Sequence, residues 1–160
     1  MLIVAMFFMV SNVNAQESEM EQLVNKTISE VKAPADMLNA IAKLQRIETM
    51  YPDSVMPKSK RVMLSLEYAI SQPSAKESPK LIESSNEMLQ KMEQMPAADS
   101  SDVEALWAFY YLDLIVQNPM ENGPKYYMQV SSHVNKSLEL NPDNELAKTV
   151  KGWFEQGMKQ

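Results

Sequence analysis

Three prolines at nearly equal intervals restrict what this chain can fold into more than any other feature. Pro52, Pro96 and Pro142 lie 44 and 46 residues apart, and each separates an amphipathic stretch from a new apolar one. Proline cannot continue a helix and disfavours helical geometry in the residue before it, so each proline marks a helix end followed by a turn. A stop that recurs at this interval predicts a repeated helical hairpin.

Apolar residues at three- and four-residue spacings predict seven helices around these turns. The expected ranges are about 18–31, 35–51, 58–71, 79–95, 103–117, 124–140 and 144–158. The fifth helix is apolar on nearly every side from Ala105 to Val116, which predicts that it lies at the centre of the fold. We expect an all-α fold of three stacked hairpins and one extra leading helix, in which each hairpin buries its apolar face against the next.

The first fifteen residues have the pattern of a secretory signal. Leu2 to Val10 is an uninterrupted apolar run, and Val13 and Ala15 supply the small or apolar positions that signal peptidase accepts. The run covers only about half of the ~20 residues that a helix needs to cross a bilayer. We expect cleavage after Ala15, with residues 1–15 as the signal peptide and residues 16–160 as one helical domain that is periplasmic or secreted.

Charge and composition narrow the classes of partner. The formal net charge is −6, whereas nucleic acids and anionic membranes are bound through concentrated Lys and Arg, so we expect no nucleic-acid partner. No later apolar run is long enough to span a bilayer, so we expect no membrane insertion after signal cleavage. The chain has no cysteine, which excludes disulfides and thiolate sites.

The segment from Leu138 to Trp153, which reads LELNPDNELAKTVKGW, resembles the junction between tetratricopeptide repeats. In that junction one helix ends in a Leu-x-Leu-x-Pro-x-Asn turn and the next begins with a small residue packed against its partner, here Ala147. Together with the run NPMENGPKY at 118–126, the segment is also similar to exported tetratricopeptide-like proteins of Bacteroidetes. The resemblance implies tetratricopeptide-like stacked hairpins that bind a protein or a peptide, with no catalytic residues and no cofactor.

Aromatic residues on the fifth helix form the candidate partner-binding site. Trp107, Tyr110 and Tyr111 lie close together in the sequence, and Asp113 adds one charge to an otherwise apolar helix. Aromatic residues with a charged anchor are what a peptide-binding groove uses.

A structural role for Asp113 is the alternative. A carboxylate in an apolar environment is costly unless it is paired or hydrogen-bonded. We expect such a partner to be Lys125 or the hydroxyl of Tyr126 or Tyr127.

Three methionines on the fourth helix offer a different kind of site. Met88, Met92 and Met95 are spaced to share one helix face. Thioether clusters can hold Cu(I) in an oxidising compartment, although methionine at this spacing also serves as adaptable core packing or as a soft face for a partner helix.

The sequence does not reveal a set of residues arranged for enzyme chemistry; an enzyme would need two carboxylates brought together by the fold. His133 is the only histidine, and Ser132 cannot face it because neighbours on a helix point about 100° apart. We expect His133 to be a surface or half-buried residue and the protein not to be an enzyme. The triplet Asp53-Ser54-Val55 resembles the O-glycan acceptor of exported Bacteroidetes proteins, which makes Ser54 a candidate modification site.

These patterns favour an exported, non-catalytic helical-repeat scaffold that binds a protein or peptide partner. The alternative is a periplasmic carrier that holds a small molecule or Cu(I) in a methionine-rich or aromatic pocket.

Overall fold

The computed structural model describes residues 19–157, which form seven helices and no strand. The first, α1, covers residues 19–29. The others are α2 (Pro34–Met50), α3 (Val55–Ser71), α4 (Ser78–Met92), α5 (Ser100–Gln117), α6 (Pro119–Leu140) and α7 (Glu145–Gly157). The predicted all-α class is confirmed, whereas the expected signal peptide lies outside the described residues. None of the helices in residues 19–157 is long and apolar enough to cross a membrane.

The helices stack in two layers. From α2 onward each helix contacts the next, and α3 also contacts α5, which in turn contacts α7, whereas α2, α4 and α6 do not contact one another. Among α2 to α7, helix α5 has the most neighbours, namely α3, α4, α6 and α7, which confirms its predicted central position. Within the same set, the contact between α5 and α6 is the most extensive.

The three spaced prolines lie in the turns α2–α3, α4–α5 and α6–α7, as predicted. The expected start of α6 at Pro124 is wrong, because the helix begins five residues earlier at Pro119 and contains Pro124 in its interior. Proline is favoured in the first helical turn, so Pro119 starts the helix. Pro124 has no N–H to bond to the carbonyl of Met120. Met120 is 91% exposed, so water can satisfy this carbonyl.

A buried polar network joins α5, α6 and α7. The hydroxyls of Ser101 and Ser137 each donate to the backbone oxygen of the other residue, at 2.9 and 2.8 Å. Asn144 donates to Ser101 Oγ at 3.0 Å and to Asp102 Oδ1 at 2.8 Å, and its own oxygen accepts from the Ala147 backbone N–H at the start of α7. Small side chains let α5 and α6 approach closely, and the network fixes their register against α7. Ala147 is completely buried, as the repeat-like junction predicted.

Candidate functional site

The predicted aromatic site on α5 continues across to α6. Trp107 and Tyr111 are four residues apart on one face of α5, and the ring of His133 from α6 stacks against both. The centroid of the His133 ring lies 6.2 Å from that of Trp107 and 5.4 Å from that of Tyr111, with interplanar angles of 26° and 18°. Tyr110 meets Trp107 edge-on at 5.4 Å. Tyr126 lies 5.5 Å from Tyr111 and completes this aromatic cluster.

Polar contacts hold the aromatic cluster in place. The indole N–H of Trp107 donates to Glu93 Oε1 at 2.7 Å, and the side chain is only 7% exposed. The Nδ1 atom of His133 lies 2.6 Å from Glu104 Oε2, and Lys136 binds the other oxygen of Glu104. Burial raises the pKa of the Glu104 carboxyl, but the hydrogen bonds from Lys136 and His133 outweigh it, so that the pKa lies below its ordinary value.

The aromatic cluster therefore has most of its surface committed to contacts within the chain. Tyr110 and Tyr111 are half-buried, and burial raises the pKa of both phenols. His133 is half-buried, as predicted, and is held by a carboxylate that the sequence did not point to. Glu93 follows the end of α4 and binds Trp107 on α5, whereas Glu104 on α5 binds His133 on α6. These contacts therefore depend on how the helices are aligned.

Asp113 lies on a different side of α5, towards α3. Its side chain is completely buried, and its only hydrogen-bond partner among the described residues is Gln117 Nε2, 3.3 Å from Oδ1. The expected partners Lys125, Tyr126 and Tyr127 are therefore wrong. Gln117 is one helical turn away and also donates to the backbone oxygen of Ala69 on α3 at 3.2 Å. Burial raises the pKa of Asp113 from 3.8 to about 7, because Oδ2 has no partner there to stabilise the charge.

The three methionines of the candidate copper site pack against the large hydrophobic core. Met88 is 7% exposed and Met92 1% exposed, both within the core cluster that includes Phe109. The placement of Met95 on the fourth helix is wrong, because α4 ends at Met92, and Met95 packs against the edge of the cluster from beyond the helix end. Ser54 precedes α3 in the turn after Pro52 and is half-buried. Within residues 19–157, no group of three or more His, Cys, Asp or Glu side chains is placed to hold a metal ion.

A second site, which the sequence did not indicate, is an apolar cleft near the C-terminal ends of α3, α5 and α7. It has a volume of about 350 Å³. The residues that line this apolar cleft are Ile70, Leu112, Ile115, Val116, Pro119, Gly123, Tyr127, Trp153, Phe154 and Gly157.

Two aromatic side chains of the apolar cleft remain open to solvent. Trp153 is 42% exposed and Tyr127 is 39% exposed, although each packs against another ring. Trp153 lies 5.6 Å from Phe109, and Tyr127 lies 5.0 Å from Phe154. None of the lining residues within 19–157 is charged, so the cleft offers a surface for apolar groups. The sequence signal that could have indicated this cleft is the adjacent aromatic pair Trp153 and Phe154 on the last predicted helix.

Gly123 keeps the floor of the apolar cleft open. Apart from its chain neighbours, a Cβ atom at this position would meet no other atom within 4 Å. The backbone of Gly123 has no positive φ, but the residue precedes Pro124 inside α6. Gly152 on α7 has equally open surroundings and does not line the cleft. The pair therefore allows the cleft to be filled at one glycine while the other serves as a control.

Comparison with known proteins found no match to this chain among protein-family models, curated proteins or solved structures.

Proposed function

We propose that this protein is an exported, non-catalytic helical-repeat scaffold, with tetratricopeptide-like stacking, that binds a protein or peptide partner. The contacts along α3, α5 and α7 support repeat stacking, because in a solenoid each hairpin is stabilised by its neighbours. The observation that carries the binding function is the apolar cleft, with Trp153 and Tyr127 exposed at its surface.

The dimensions of the apolar cleft favour an anchor side chain of a larger partner. Its volume of about 350 Å³ holds one or two large apolar side chains. Binding energy at protein interfaces is concentrated in aromatic and aliphatic anchors that fill such pockets. The cleft is preferred to the aromatic cluster as the contact site, because Trp107 is nearly buried and already hydrogen-bonded to Glu93.

The experiment is a selection of displayed peptides on the purified protein, followed by calorimetry with the enriched sequence. Enriched peptides should share a large apolar or aromatic residue. Gly123→Phe fills the apolar cleft and should weaken binding by about 2 kcal/mol or more, as the loss of an anchor does. Gly152→Phe introduces the same side chain outside the cleft and should bind as the unmodified protein does.

Both substitutions replace glycine inside a helix, but only Gly123 precedes a proline, which disfavours helical geometry in a residue that has a Cβ atom. A loss of binding restricted to Gly123→Phe is therefore assigned to occupation of the cleft only when the two variants have the same helix content and the same midpoint of urea denaturation. Equal binding by the two variants would refute the apolar cleft as the contact site.

A small apolar molecule is the second candidate occupant, because the cleft volume falls at the lower end of the ~300–1,000 Å³ range of ligand pockets. Native mass spectrometry of the protein isolated from its own cells separates the two functions. A bound small molecule that is lost in Gly123→Phe, with no enriched peptide in the selection, would favour the carrier.

A further inference from the structure

A polar groove lies between α2 and α4, with α3 as its floor. It has a volume of about 400 Å³ and shares no lining residue with the apolar cleft. Three basic side chains line it, from Lys58, Arg61 and Lys91, against the two acidic side chains of Glu48 and Glu87. The polar groove thus has an excess of one positive charge on a chain whose net charge is −6.

Lys58 is a buried cation that has no carboxylate partner in the part of the chain that the structure describes. It is 8% exposed, and its Nζ donates to the backbone oxygens of Pro52 at 2.6 Å and Ser54 at 2.9 Å. No carboxylate oxygen of residues 19–157 lies within 4.0 Å of this nitrogen. Two carbonyl groups accept from two of its three N–H donors, so one donor has no acceptor, and no carboxylate pairs directly with the charge among the described residues. Burial lowers the pKa of Lys58, and the carboxylates of Glu48 and Asp53 oppose this effect.

Arg61 adds unused donors to the same groove. Its Nε binds Glu48, and both side chains are about nine-tenths buried. A guanidinium has five N–H donors, and the terminal nitrogens of Arg61 have no acceptor among the described residues. Because Glu48 is committed to Arg61, it does not act as the direct counter-ion of Lys58.

We propose that the polar groove is a binding site for a small organic carboxylate, held by the free N–H donors of Lys58 and Arg61. Charged hydrogen bonds to a carboxylate are stronger than neutral ones, and one negative charge matches the excess of the groove. A phosphate dianion would bring a second negative charge towards Glu48 and Glu87. Met88 and Pro52 also line the groove and provide apolar contact for a short hydrocarbon chain.

The test is a titration of the purified, isotope-labelled protein with sodium butyrate, followed by amide NMR at constant ionic strength. We expect saturable shifts confined to residues around the polar groove, with a Kd on the order of 1–10 mM. Lys58→Met and Arg61→Gln should each weaken the binding by about tenfold, equivalent to ~1.4 kcal/mol. Lys80→Met removes the same charge from an exposed position of α4 outside the groove and should have no effect.

Inorganic phosphate is titrated in parallel. Binding of phosphate more tightly than butyrate would overturn the assignment to a carboxylate, as would the absence of saturable shifts with butyrate. Wild-type affinity in both Lys58→Met and Arg61→Gln, with spectra that show folded protein, would also overturn it. Since the apolar cleft plays no part in this experiment, its result is independent of the proposed partner binding.

Discussion

The ring of Trp153 lies 5.6 Å from the ring of Phe109, and the two planes are inclined at 55°. Phe109 is completely buried in α5, whereas 42% of Trp153 is exposed beside the apolar cleft. One part of the indole is therefore fixed against the rigid core while another part stays available to a ligand. An aromatic side chain that is already ordered loses little conformational entropy on binding, which suits Trp153 to the role of an anchor.

Asp113→Asn should stabilise the protein in a pH-dependent way. Burial raises the pKa of Asp113 from 3.8 to about 7. Between these two pH values the carboxyl is protonated in the folded protein and ionised in the unfolded chain. The stability of the unmodified protein should therefore fall, relative to the variant, as the pH rises from about 4 to about 7. Asparagine keeps the shape without a charge. The gain in the free energy of unfolding should be about 1–3 kcal/mol at pH 8 and close to zero at pH 4.

Urea denaturation of the unmodified protein and Asp113→Asn at these two pH values measures the difference. An equal free energy of unfolding for the two proteins at pH 8 would contradict the claim that burial raises the pKa of Asp113.

Asn144→Ala should destabilise the junction of α5, α6 and α7. The substitution removes the hydrogen bonds from Asn144 to Ser101 and Asp102 and the cap on the Ala147 N–H. Loss of a cap and of buried hydrogen bonds should lower the free energy of unfolding by about 2–3 kcal/mol. Asn141→Ala, an exposed asparagine three residues away, should cost less than about 1 kcal/mol. Similar midpoints of urea denaturation for the two variants would show that the buried polar network contributes little to the free energy of unfolding.

Glu104→Gln should destabilise the aromatic cluster more at neutral than at acidic pH. Because the pKa of Glu104 lies below its ordinary value of 4.5, its ion pair with Lys136 and its hydrogen bond with His133 stabilise the folded protein above pH 4.5, and this stabilisation decreases as the pH falls towards the lowered pKa. We expect a cost of about 1 kcal/mol at pH 7 and a smaller cost at pH 3. Glu139→Gln changes an exposed residue of α6 and serves as the control. A cost for Glu104→Gln that is the same at both pH values would indicate lost packing instead of lost charge.

Met92→Leu should be tolerated if the methionines of α4 are core packing. Met92 is 1% exposed in the hydrophobic core, and a volume-conserving apolar exchange there should cost less than about 1.5 kcal/mol. Any binding of Cu(I) should be unchanged in this variant. A marked loss of Cu(I) affinity, measured by competition with a chromogenic chelator, would instead support the alternative of a copper carrier.

The helices were predictable from sequence because their signals are local. Pro52, Pro96 and Pro142 mark turns through the geometry of a single residue, and apolar spacing depends on neighbours within two helical turns. The start of α6 was missed because Pro119 and Pro124 both fit a first helical turn, and the inner position is acceptable because Met120, four residues before Pro124, is exposed to water.

The sites were less predictable because they depend on how distant helices align. Trp107 and Tyr111 were candidates because they are aromatic residues on one predicted helix. Their stacking on His133 depends on the register of α5 against α6, which periodicity does not give. The apolar cleft joins Ile70 and Trp153, which are more than eighty residues apart in the sequence. Periodicity indicates which face of a helix is apolar, but it does not indicate where two apolar faces fail to close.

The fluorescence of Trp153 tests the central claim most directly. The chain has two tryptophans, so Trp107→Phe leaves Trp153 as the only one. When this protein is titrated with a peptide enriched in the selection, the emission of Trp153 should shift to shorter wavelength and its quenching by acrylamide should decrease, because the peptide covers the exposed part of the ring. Trp153→Phe, in which Trp107 reports, should show neither change. Peptide binding that leaves the emission and quenching of Trp153 unchanged would contradict the apolar cleft as the partner-binding site.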